Sequence, residues 1–153
     1  MDVRMDTIGR WLQEFHDRFR VVVTGLNPEA LAYAPVPETN SIAVLVRHSV
    51  LTEHGMLAGL ARQPLHRDLP SEFVQHPARA EELRALLDEA DERITEMLGL
   101  ITPEALDASY PRPHNQQLTG GEWAVHTYGH VKEHLAHAEL TRQLIDAGTA
   151  SSA

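Results

Sequence analysis

The spacing of apolar and polar residues along the chain predicts four long helices. Residues 6–25 place apolar side chains at steps of three and four, which is typical of a helix with one buried face. Residues 41–62 are apolar on most sides in their first half, so we expect that helix to lie deepest in the core. Residues 77–100 carry another apolar stripe, and residues 119–146 form the last helix. The pattern predicts an all-α, four-helix architecture.

Capping residues mark where these helices begin. Asp6 or Thr7 can cap the first helix, and Asn40 or Ser41 can cap the second. Thr119 and Glu122 form the T-x-x-E pattern of a capping box at the start of the fourth. We expect one domain over residues 1–147, followed by a short flexible tail at residues 148–153.

Three segments between the helices have different predicted roles. Residues 33–38 and 109–118 contain prolines and are expected to be extended, because proline removes a backbone donor and restricts the residue before it. Residues 63–76 form the longest connection, which is polar and contains proline. We expect this segment to cross over between helices two and three, or to be mobile.

A weak internal repeat relates the two halves of the chain. LNPEAL at 26–31 and ITPEAL at 101–106 each follow a helix, and each precedes a tyrosine and a Pro-x-Pro sequence. One interpretation is a pseudo-symmetric bundle in which the two histidine-bearing helices are neighbours. The other is that two helix junctions use the same capping chemistry.

Four histidines lie on one stripe of the last helix, and a fifth lies in the second helix. At about 100° per residue, His126, His130, His134 and His137 fall at roughly 0°, 40°, 80° and 20°. His126 and His134 are separated by about 12 Å along the axis, so one ion can be shared only by an i, i+4 pair. A third ligand must come from another helix, and His48 has apolar residues one turn before and after it.

The predicted metal ligands are His48, His130 and His134, with His126 and His130 as the alternative pair. His126 is then expected to line the pocket or orient a ligand, and His137 to support the ligands or lie exposed. Three imidazoles would leave a fourth position for water. A single inward histidine is more often a hydrogen-bonded core residue, but burying several without partners is costly. We expect the remaining histidines at the surface or in loops: His16, His54, His66, His76 and His114.

Composition excludes several functions. The chain of 153 residues has a formal charge of −9 and only 13 scattered lysines and arginines, which argues against nucleic-acid binding. It has no cysteine, hence no disulfide or thiolate ligand, and no apolar run long enough to span a membrane. Without a signal-peptide pattern, a cytoplasmic location is expected. The sequence has no Glu-x-x-His pair, H-E-x-x-H motif or P-loop.

Two motifs carry a family resemblance. NSIAVLVRHSVLTE (40–53) and the H-x3-H segment GGEWAVHTYGHVKEHLAHAEL (120–140) resemble the two motifs of the DinB/YfiT-like superfamily. The resemblance implies a four-helix bundle, often dimeric, with zinc or nickel bound by His48, His130 and His134. Family members often have glycine two residues after the last histidine, where this chain has Ala136. That difference leaves the three ligands intact but affects the helix contact there.

Two classes of function follow from this resemblance. Some relatives are S-transferases or isomerases that use mycothiol or bacillithiol, and others have been described as metal-dependent hydrolases. The first hypothesis is therefore an enzyme whose metal activates water or an exogenous thiol toward a small-molecule substrate. The alternative is a stress-related metal- or ligand-binding module without turnover, since neither Glu53 nor Glu133 is on the predicted ligand face. A purely structural bundle ranks last.

The apolar surface of helix one is the candidate interface of a homodimer.

Overall fold

The computed structural model describes residues 2–112 and 116–151, and within them four long helices form a bundle. His114, predicted in a loop, and Ser152 and Ala153 of the predicted tail lie outside the described residues. The predicted all-α four-helix fold is confirmed. The elements are α1 (Val3–Val23), α2 (Pro28–Leu31), α3 (Ile42–Leu60), α4 (Leu69–Glu72), α5 (Ala80–Leu98), α6 (Pro103–Asp107), β1 (Ser109–Arg112), β2 (Gln116–Thr119) and α7 (Gly120–Ser151).

Helices α1 and α7 are parallel neighbours. Near their N-termini the rings of Trp11 and Tyr128 lie 4.9 Å apart between centroids. Near their C-terminal ends the Arg142 guanidinium donates to the carbonyl of Val22 at 2.8 Å. The order of these contacts along both helices establishes that they run in the same direction.

Helix α3 runs antiparallel to α7 and parallel to α5. His48, early in α3, meets His130, and Gly59 near its end lies against the ring of Trp123. Arg47 donates to the carbonyl of Pro77, just before α5, at 3.2 Å. Parallel neighbours cannot be joined by a tight turn, so residues 61–79 cross back along the bundle. The predicted crossover is confirmed.

Some predicted helix starts are confirmed, and others were wrong. The Ser41 cap is present, and Thr119 and Glu122 form the capping box, with Thr119 N–H donating to Glu122 at 2.8 Å. Helix α1 begins earlier than expected, because the Asp2 side chain accepts from the backbone N–H of Arg4 at 2.8 Å. Asp6 and Thr7 are therefore not the cap. The third long helix starts at residue 80, later than the predicted 77.

The two junctions with similar sequence have similar structures. Each forms a one-turn helix, α2 or α6, capped by the side chain of Asn27 or Thr102. The histidine-bearing helices α3 and α7 are neighbours, as the pseudo-symmetric interpretation requires. Before α7, the strands β1 and β2 pair in antiparallel fashion, with Ser109 opposite Thr119.

The core contains a buried polar cluster that the sequence analysis assigned wrongly. His16 was expected at the surface but is completely buried in α1. Its Nε2 lies 2.7 Å from Glu53 in α3, and its Nδ1 lies 2.7 Å from Asp91 in α5. His16 follows Leu12 by one turn, so it continues the apolar stripe of α1 toward the core. The cluster links three of the four long helices.

The two carboxylates keep His16 charged. Burial alone would lower the pKa of His16, but the nearby charge of Glu53 and the hydrogen bonds that the ring donates to Asp91 and Glu53 raise it to about 9. Arg20 also donates to Asp91 and Asp88, which fixes the Asp91 acceptor on the α5 side of His16.

No described helix combines the length and hydrophobicity needed to cross a bilayer.

The His16 cluster predicts that stability falls with rising pH. The pKa of His16 is raised from 6.5 to about 9 on folding, so its contribution is complete below pH 6.5 and disappears as pH rises through 9. We expect a loss on the order of 3 kcal/mol in the free energy of unfolding over that range. Urea unfolding at closely spaced pH values measures this loss.

Asp91→Asn is the variant for this test, since it preserves shape while removing one carboxylate. We expect the variant's pH-dependent loss of stability to be smaller and to be complete at a lower pH, and the NMR titration midpoint of His16 to move down with it. A His16 midpoint near 6.5 in the wild type would contradict the charged cluster.

Candidate metal centre

Three histidines converge between α3 and α7. His48 projects from α3, and His130 and His134 project from successive turns of α7. The Nε2 atom of His130 lies 3.1 Å from Nε2 of His48 and 3.0 Å from Nε2 of His134. These are the three residues that the sequence analysis selected, one from one helix and an i, i+4 pair from another.

The arrangement fits a shared metal ion better than it fits hydrogen bonds alone. A ring nitrogen offers either one proton or one lone pair, so Nε2 of His130 can form one good hydrogen bond but not two. Around a tetrahedral zinc ion with bonds of about 2.05 Å, two ligand nitrogens lie about 3.3 Å apart. The observed separations are close to that value. Within the described part of the chain, these histidines form a group whose ligand atoms all lie within 4.8 Å of one another.

The surroundings favour neutral imidazoles. Burial lowers the pKa of His134 to about 4, with a smaller effect from the neighbouring His130 and His48. Burial also lowers the pKa of His130, and it lowers the pKa of His48 despite the nearby Glu72. Metal binding requires deprotonated imidazole, so these ligands would release few protons at neutral pH.

The crossover supplies polar groups around His48. Glu72, at the end of α4, lies 2.9 Å from His48 Nδ1, and Arg67 donates to both carboxylate oxygens of Glu72. Phe73 packs on the His48 ring with centroids 4.4 Å apart. Thr52 places its hydroxyl 3.4 Å from His48 Nε2. Sequence reasoning missed Glu72 and Arg67, because helical periodicity does not reveal the path of a crossover.

The other two histidines of the stripe lie outside the cluster. His126 is exposed beside an apolar groove between α1 and α7, which it lines together with Trp11 and Val125. His137 is exposed and borders a different cavity, which His134 also lines. The four histidines differ in angle and in height along α7, so only His130 and His134 lie against His48 of α3. The structure leaves the exact roles of His126 and His137 as predictions.

Two cavities lie on either side of the histidine cluster. One of about 330 Å³ is bordered by His134 and His137, with Leu45 and Leu140 among its apolar walls. The other, about 260 Å³, is bordered by Thr52, Arg67 and Trp123. Either could hold a small molecule beside the cluster.

The remaining histidines with described positions are away from the cluster. His66 and His76 are exposed in the crossover, as expected, and His54 is half-buried in α3. Glu53 contacts His16 and lies off the face of His48, as predicted. Glu133 is exposed.

The fold and site define an all-α bundle in which two antiparallel helices contribute three clustered histidines. The sequence model of the DinB superfamily matches residues 12–138. The chain belongs to the DinB superfamily, which confirms the resemblance seen in its two motifs.

Solved structures share this fold at low sequence identity. A conserved protein from Enterococcus faecalis is 17% identical with a TM-score of 0.79, covering 96% of this chain and 99% of its own. A DinB-like protein from Bacillus subtilis is 16% identical with a TM-score of 0.71, covering 92% of each chain. YfiT from Bacillus subtilis, described as a probable metal-dependent hydrolase with an unusual four-helix bundle topology, is 14% identical with a TM-score of 0.72, covering 95% and 90%. No curated protein matches the sequence.

The burial of the cluster predicts an unusually acidic titration for His134. In metal-free protein we expect its NMR midpoint near pH 4, compared with 6.5 for an unperturbed imidazole. Since this pKa is depressed on folding, the contribution of His134 to stability is present above pH 6.5 and is lost as pH falls toward 4. A midpoint at or above pH 6 would contradict the desolvated cluster.

Proposed function

We propose that this protein is a metal-dependent enzyme whose zinc or nickel ion is held by His48, His130 and His134. The convergence of the three Nε2 atoms is the observation that carries the proposal. Membership of the DinB superfamily and the description of YfiT as a probable metal-dependent hydrolase support it. The substrate is expected to be a small electrophilic molecule.

The donor set suits activation of a nucleophile. His48, His130 and His134 would hold a divalent ion through three neutral imidazoles, and such an ion would lower the pKa of water or of a thiol at its open position. Because the chain has no cysteine, a thiol must be exogenous, and mycothiol and bacillithiol are the candidates. The side chains packed around the three histidines would orient the imidazole rings and keep bulk water from the buried faces of those rings.

A binding module without turnover is the second candidate. The observation favouring it concerns general acids: Glu72 is already paired with His48 and Arg67, and the exposed Glu133 lies outside the cluster. A reaction in which the activated nucleophile displaces a good leaving group needs no such acid. Turnover of electrophiles by zinc- or nickel-loaded protein, with and without each thiol, separates the two candidates.

The ligand assignment predicts that His130→Ala abolishes metal binding. We expect about one metal per wild-type chain by mass spectrometry, using tag-free protein never exposed to a nickel column. His126→Ala is the matched control, because His126 is exposed on the same helix one turn earlier. The control should keep its metal, and both variants should keep their helical circular dichroism.

The outcome also decides between the two i, i+4 pairs. Loss of metal in both variants would favour His126 and His130 as the pair. Metal retained in both His130→Ala and His48→Ala would contradict the site. No metal in the wild type, even after adding zinc or nickel, would leave the binding-module candidate with some other ligand.

A homodimer is part of the proposal, with an apolar groove between α1 and α7 as its interface. The groove includes Trp11 and Val125, whose side chains are 42% and 62% exposed. A contiguous apolar groove of this kind commonly marks a surface that binds a partner.

The groove predicts that Val125→Glu converts the dimer to monomer, because association would bury the new carboxylate. Sedimentation equilibrium measures the change. Val36→Glu is the control, since Val36 is exposed in the segment between α2 and α3, outside both helices of the groove. A monomeric wild type would refute the dimer, and two dimeric variants would place its interface elsewhere.

A further inference from the structure

We propose that Glu72 is a positioning residue for His48. From the crossover, it fixes the His48 ring so that Nε2 faces His130 and His134, and Arg67 holds Glu72 in place. The role in metal binding rests on the proposed function, but the orientation and tautomer of the ring can be measured without metal.

The contact between Glu72 and His48 selects one tautomer. Oε2 of Glu72 lies 2.9 Å from Nδ1 of His48, and a carboxylate can only accept a hydrogen bond. The proton of a neutral His48 ring therefore resides on Nδ1, which leaves the lone pair on Nε2. That nitrogen is the one that lies 3.1 Å from Nε2 of His130.

Glu72 is itself held firmly. Its side chain is only 3% exposed, and Arg67 donates to Oε1 at 2.9 Å and to Oε2 at 2.6 Å. The same guanidinium also donates to the hydroxyl of Thr52 at 3.3 Å, one turn after His48. A buried carboxylate with both oxygens bonded has a defined position, so it can define the ring it contacts.

The crossover holds the His48 ring from a second direction and is anchored beyond the contact. Phe73 packs on the ring face, while Glu72 engages its edge. Arg47, the residue before His48, donates to the carbonyls of His76 and Pro77 at 3.0 and 3.2 Å. Residues 72–77 of the crossover therefore contact both His48 and the residue before it in α3.

The variants that test this role are Glu72→Ala, Glu72→Gln and Glu133→Ala. Alanine removes the acceptor, whereas glutamine keeps an oxygen that can accept from Nδ1. Glu133→Ala controls for the lost negative charge, because Glu133 is an exposed acid adjacent to His134. Each metal-free protein is examined by ¹⁵N NMR of the His48 ring, and each zinc affinity is measured by competition with a chromogenic chelator.

We expect wild-type His48 to carry its proton on Nδ1, and Glu72→Ala to shift the equilibrium toward the Nε2–H tautomer. Zinc affinity should fall about 10- to 100-fold in Glu72→Ala, the usual effect of losing such a partner. Glu72→Gln should recover the tautomer and part of the affinity. The Glu133→Ala control should stay within about twofold of wild type by the weak effect expected of an exposed charge.

An unchanged tautomer and unchanged zinc affinity in Glu72→Ala would overturn the proposal. If the wild type binds no zinc, the proposed function fails, while the metal-free NMR comparison still decides the role of Glu72. If Glu72→Ala does not fold, Glu72→Gln decides the question. The glutamine oxygen can still accept from Nδ1, so the Nε2–H tautomer in that folded variant would overturn the proposal.

Discussion

The structure depends on the burial of α3 on nearly all sides, which places two ionisable side chains, Glu53 and His48, where they need partners inside the protein. Glu53 satisfies this requirement toward α1 and α5 through His16. His48, rather more than one turn earlier, satisfies it toward α7 and the crossover through His130 and Glu72. An unpaired buried charge would cost several kcal/mol. The two polar clusters therefore constrain how every long helix is placed around α3.

Helical periodicity was sufficient to predict much of this arrangement. It predicted the four helices, the deep burial of α3 and the inward direction of His48, because apolar spacing reports directly which face of a helix is covered. It also predicted that His130 and His134 could approach a third histidine. Periodicity did not predict which helices are neighbours, since that depends on contacts between faces that are equally apolar.

The residues that were missed share a physical cause. His16 was expected at the surface or in a loop, although its position on the stripe of α1 is that of a core residue. Its two acidic partners are on other helices, 37 and 75 residues away in sequence. Glu72 is 24 residues from His48 and belongs to a connection without apolar periodicity. Pairing across such distances is decided by tertiary structure, which a local pattern does not contain.

The topology of the bundle and the chemistry of its candidate site are connected through the crossover. Because α3 and α5 are parallel neighbours, the chain must return along the bundle between them, whatever the protein does. That return passes the open side of His48, where Arg67, Glu72 and Phe73 meet the ring. A tight turn between antiparallel helices would have no residues to place there. The parallel arrangement of α3 and α5 thus brings the crossover beside His48, and the crossover supplies the carboxylate of Glu72 as the partner of that ring.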